Sequence, residues 1–235
     1  MTSVTPPSTP PDVLVLHGPG APEGAGPWRG AFAAAGWPGR VLAPDLPGHG
    51  TEPAPLGGSY EQGDAVLFAV RLLAERDSPG VPPVVVGEAG NGWAATVLAL
   101  AGRATALVLV DGLGGPWRTP IEVLGRGRDL LRAIADDEAA VASAPSSGLD
   151  PRLRHGLPSH GSRFLAEQSA AELSVPVLLV ESSKSGLSQS DLAALIPSFS
   201  SPVTTVVLPA PSPAEVVSAM VGWTGRFPVP MSTSP

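Results

Sequence analysis

The sequence predicts an α/β fold: a mostly parallel twisted sheet with helices on both faces. Three observations predict it. Six short segments are apolar along nearly their whole length, helical stretches separate them, and glycine or proline marks the joints. The 235 residues suit one such domain. With 43% hydrophobic and only 15% charged residues, the chain can fill one large core.

The elements follow in order. "DVLVLH" (12–17) is a strand ending at His-Gly, and residues 27–36 form a short helix. "RVLAPD" (40–45) is the second strand. Residues 60–76 carry apolar side chains at 66, 67, 70 and 73, a helical stripe. "PPVVVG" (82–87) is a strand, 91–102 a helix and "ALVLVDG" (106–112) a strand. The rhythm breaks over 113–160, where helices at 119–135 and 136–143 and a polar loop are expected but no strand. It resumes with a helix at 162–173, strand "VPVLLVE" (175–181), a helix near 189–196, strand "TTVVLP" (204–209) and a helix at 213–223. Residues 1–11 and 226–235 are rich in proline, serine and threonine and read as disordered tails.

Composition excludes several classes. The net charge is −7, and the densest basic group, Arg126, Arg128 and Arg132, is interleaved with Asp129 and Asp136, so it reads as a solvated helix face. Nucleic-acid binding is not expected. With no cysteine, disulfides, thiolate catalysis and zinc–sulfur sites are absent. The four histidines, His17, His49, His155 and His160, lack metal-ligand spacing, so neither a metal nor another cofactor is expected. No secretory signal or long apolar stretch is present, so a soluble cytoplasmic protein without membrane contact is expected.

Several segments, in the correct order, resemble the α/β-hydrolase superfamily. "LHGPG" (16–20) is similar to its His-Gly oxyanion loop, and "DLPGHG" (45–50) to its Asp-x-x-Gly-His-Gly loop. "VVVGEAGNGW" (84–93) stands where the nucleophile elbow belongs. The resemblance covers residues 12–224 and implies the short version of the fold, without two opening strands. It implies a core of 12–112 and 161–225, with 113–160 as a small helical cap.

The resemblance also marks departures. The family elbow is Gly-x-Ser-x-Gly. Matching Gly87 places Ala89 at the serine, Gly90 after it and Asn91 at the last glycine. The segment where the family acid belongs, "ESSKSGLS", offers Ser183 to Ser185, and "LPAPSPAE" has no histidine. A serine hydrolase needs a hydroxyl, an imidazole and a carboxylate together. The chain therefore resembles a divergent member lacking that triad.

The remaining ionisable groups at strand ends are His17, Glu88 and Asp111, the candidate catalytic residues. Each also has a structural role available: His17 can hold the loop after the first strand, Glu88 can pair inside the protein, and Asp111 can cap a turn. Asp45 and His49 belong to a loop that is structural in the family. Gly18, Pro19, Ala89, Gly90 and Trp117 are candidate ligand contacts, and N–H groups of Gly90 and the 18–20 loop are candidate anion donors.

The expected function is non-hydrolytic binding of a small apolar or carbonyl- or carboxylate-bearing molecule in the former active-site cleft. One alternative is a lyase, isomerase or cyclase using His17, Glu88 or Asp111. Another is a scaffolding homodimer.

Overall fold

A computed structural model describes residues 11–53, 60, 62–75, 81–112, 149–150, 153, 163–182 and 189–224. Its elements in chain order are β1 (Val13–Leu16), α1 (Gly26–Ala34), β2 (Val41–Leu42), α2 (Gln62–Ala74), β3 (Val84–Glu88) and α3 (Gly92–Leu100). Then come β4 (Ala106–Val110), α4 (Arg163–Glu172), β5 (Val177–Glu181), α5 (Gln189–Leu195), β6 (Val203–Val207) and α6 (Pro213–Thr224). The helices expected at 119–135 and 136–143, Trp117, His155, His160 and nearly all of both tails lie outside the described residues.

The six strands form one sheet in the order β2-β1-β3-β4-β5-β6, every pairing parallel. Strand side chains alternate between faces. Leu14, Val85, Leu107 and Leu179 point to one face, where Ala65 and Ala69 of α2, Leu98 of α3 and Leu192 of α5 cover them. Val13, Val15, Val86 and Val108 point to the other, under Trp28 and Phe32 of α1 and Val216 and Met220 of α6. Both faces are buried, which is why the central strands read as continuous apolar runs rather than alternating ones.

The edges differ from the center. β2 is two residues long where the sequence suggested 40–45; Pro44 and Pro47, with no N–H, cannot extend the ladder. β6, at the opposite edge, is half exposed, with Val207 58% accessible. Among the described residues no helix is long and apolar enough to cross a membrane.

Candidate functional site

Parallel register brings the strand ends to one edge. Leu16 pairs with Gly87, so His17 and Glu88 leave neighboring strands together. Glu88 pairs with Val110, and Val110 with Val180, so Asp111 and Glu181 follow along the same edge. In open α/β sheets, ligands bind beyond this carboxyl edge.

The turn after β3 is a sharp elbow. Gly87 allows α3 to pack closely: a Cβ there would come within 2.6 Å of the Ala95 Cβ and 2.8 Å of the Asn91 carbonyl oxygen. Ala89 follows at φ 50°, and the turn closes with the Gly92 N–H donating to the Ala89 carbonyl. Among the described residues, only Ala89 and Asp111 hold positive φ without being glycine. Such backbone costs on the order of 1–3 kcal/mol and concentrates at functional sites. Here the strained position presents a methyl group.

The loop after β1 is tied down from within. The Gly18 N–H donates to Glu88 Oε2 at 2.8 Å, and the Trp28 indole N–H donates to the same oxygen at 3.0 Å. The Gly20 N–H donates to His49 Nε2 at 3.1 Å. Pro19, between them, has no N–H. The two N–H groups of this loop thus serve Glu88 and His49 within the protein.

His17 is fully buried. The Leu46 N–H donates to its Nε2 at 3.0 Å, which makes that nitrogen an acceptor. Nδ1 then carries the proton and donates to the Gly18 carbonyl at 3.1 Å. Burial pushes the His17 pKa down to about 4, which matches a neutral ring used at both nitrogens. His49 is engaged the same way. Its Nε2 accepts from Gly20, and its Nδ1 lies 3.2 Å from the carbonyls of Leu46 and Pro47. Burial lowers its pKa too. The two rings meet edge to face, centroids 4.6 Å apart.

Asp45 anchors the second loop. It accepts the Ala25 N–H at 3.0 Å and lies 3.6 Å from the Arg29 guanidinium. Gly48 and Gly50 of that loop have φ 80° and 55°. A Cβ on Gly50 would run into the Asp45 carboxylate, which explains the glycine.

Asp111 faces β5 and accepts the Ser182 N–H at 2.7 Å, tying the ends of β4 and β5 together. The structure thus joins His17, Gly18 and Glu88 in one network around the elbow, and sets Asp111 in a separate contact. Gly90 lies in the elbow turn itself.

Two participants were not foreseen. Trp28 is 2% exposed, and its indole N–H holds Glu88. Asn91 was noted only as a departure from glycine. It is 2% exposed, and its Nδ2 donates to the His17 carbonyl at 2.6 Å, linking the elbow to the loop after β1. The signal for Asn91 was the amide standing at a position where the resemblance expects glycine.

Residues 13–229 match the family model described as "Alpha/beta hydrolase family". No curated protein matches the chain. Among solved structures, the thioesterase domain from the curacin biosynthetic pathway is 21% identical, with TM-score 0.64, covering 91% of this chain and 90% of that one. An esterase from Mycobacterium tuberculosis is 23% identical, with TM-score 0.58, covering 92% and 84%. A hypothetical protein from Pseudomonas aeruginosa PAO1 is 19% identical, with TM-score 0.66, covering 94% and 93%. At these identities the likeness shows the fold.

Proposed function

The chain belongs to the alpha/beta hydrolase family, and from that premise we propose that it is a non-hydrolytic member binding a small, largely apolar molecule in the cleft above the elbow. The observation that carries this reading is Ala89 at φ 50°: the strained elbow stands, and its tip holds no nucleophile.

The surroundings support the same reading. Acyl transfer through the elbow needs a base for the nucleophile and backbone donors for the developing oxyanion. Both ring nitrogens of His17 and of His49 are committed to backbone groups, so neither can take a proton without breaking a turn. The Gly18 N–H serves a carboxylate of the protein. These commitments also weigh against a carboxylate-bearing ligand, which would compete with Glu88 for that donor. The esterase and thioesterase among the similar structures make hydrolysis the rival reading.

The test is a titration of ¹⁵N-labelled protein with n-hexanol and cyclohexanone. Saturable shifts at the amides of residues 87–92 are expected. Ala89→Leu, which enlarges the side chain at the elbow tip, is expected to abolish them while leaving the dispersed spectrum intact. An absence of saturable shifts with both probes would overturn the proposal.

A further inference from the structure

The strand β6 closes one edge of the sheet. Among the described residues it pairs only with β5, residue for residue from Val203 to Val207. Two bonds fix which way its backbone points. The Val177 N–H donates to the Pro202 carbonyl, and the Leu208 N–H donates to the Glu181 carbonyl, both at 2.9 Å. Along a strand, successive residues turn their N–H and C=O groups alternately to one side and the other. The even-numbered residues of β6 therefore face β5, and Val203, Thr205 and Val207 turn their backbone groups to the open edge.

That edge lacks the usual protections of an exposed strand. Residues 203–207 contain no proline and no charge, and their pairing with β5 has no bulge. The uncharged stretch runs further, from Leu192 to Ala214, between Asp191 and Glu215. In a chain of net charge −7, this is where two copies can approach without opposing carboxylates. Thr205 is exposed, and Val207 is exposed although apolar. The opposite edge is different: β2 has two residues, with Pro44 close behind.

We propose that β6 pairs with β6 of a second copy of this chain, antiparallel about a two-fold axis at Thr205, joining two six-stranded sheets into one. The strand is self-complementary in this register. Thr205 opposes the partner's Thr205, and Val203 opposes the partner's Val207. Each opposed pair exchanges both of its N–H···O bonds, so every outward backbone group of 203–207 finds a partner. Val203, Thr205 and Val207 share one face of the sheet, where Val203 already packs against the core. The pairing covers Val207 with the partner's Val203 and sets the two threonine side chains together, both favourable cross-strand combinations. Pro209 has no N–H, which stops the ladder from continuing beyond the strand. A contact of one patch with itself closes as a dimer. β4 and β5 stand between this edge and the elbow of β3, so the proposal is independent of what the cleft binds.

The test is sedimentation velocity of the full chain at concentrations up to about 100 µM. A dimer is expected. Thr205→Pro removes an outward N–H and no bond to β5, so the sheet of each copy is kept. Thr205→Lys sets two ammonium groups against each other across the axis. Each substitution is expected to weaken dimerisation at least about tenfold, with a cooperative melting curve showing that the fold is retained. If Thr205→Pro fails to fold, Thr205→Lys carries the test alone. A monomer throughout the concentration range would overturn the proposal. A dimer of undiminished affinity in a folded Thr205 variant would overturn it too, because the contact would then lie on another surface.

Discussion

The Glu88 carboxylate accepts the Gly18 backbone N–H at 2.8 Å, joining the elbow of the third strand to the loop after the first. The same oxygen holds the Trp28 indole. One side chain thus fixes a loop, a helix and a strand end. Glu88→Ala leaves two donors without their partner, one on a tryptophan only 2% exposed. The expected loss is roughly 1–3 kcal/mol of stability, or about 2–4 °C in Tm for each kcal/mol in a chain of this size. Thermal melting of the variant checks this. An unchanged Tm would mean that Glu88 is not a structural tie.

Acid should destabilise the protein through His17. The ring is neutral in the fold, with its pKa lowered from 6.5 to about 4 by burial. Between those values the unfolded chain binds a proton that the folded chain does not. Stability is therefore full above about pH 6.5, falls as pH drops toward 4, and gains no further penalty from this group below 4. The loss across the window is on the order of 3 kcal/mol. His49, also lowered by burial, acts in the same direction. Urea unfolding at a series of pH values reads the slope. His17→Gln is expected to be less stable at neutral pH and flatter through the window; a slope as steep as in the original protein would assign the acid loss elsewhere.

Gly48→Val tests the second loop. Gly48 sits at φ 80°, and a Cβ there would run into the Tyr60 ring and hydroxyl. Backbone strain alone is expected to cost roughly 1–3 kcal/mol. A melting curve unshifted by this substitution would contradict the loop geometry.

Much of this was legible in the sequence. Buried parallel strands carry no alternation, so runs such as "VLVL" and "VVVG" declared themselves by apolarity and by the glycine or proline at their ends. The edge strand β2 was overextended because "RVLAPD" has the composition of a strand, and only pairing decides where the ladder stops. The elbow was legible from Gly87 and the positions after it. The commitments of the site were not. That Gly18 N–H points at Glu88, or that Asn91 reaches the His17 carbonyl, depends on register across strands 70 and more residues apart in sequence. Periodicity within one segment carries no such information. Pro19 was visible in the sequence, and its missing N–H already limited what the loop could donate.

Ala89→Ser puts the central claim under the most direct test. A serine at the strained elbow would present its hydroxyl, but the described histidines, His17 and His49, have both nitrogens engaged. Loss of the base typically costs several orders of magnitude even with the serine in place. The measurement is p-nitrophenyl butyrate hydrolysis and fluorophosphonate labelling, for the original protein and for Ala89→Ser. Turnover at the buffer rate and no stoichiometric label are expected for both. Labelling of the original protein, or substantial turnover by Ala89→Ser that one histidine substitution abolishes, would contradict it and establish a working base at the elbow.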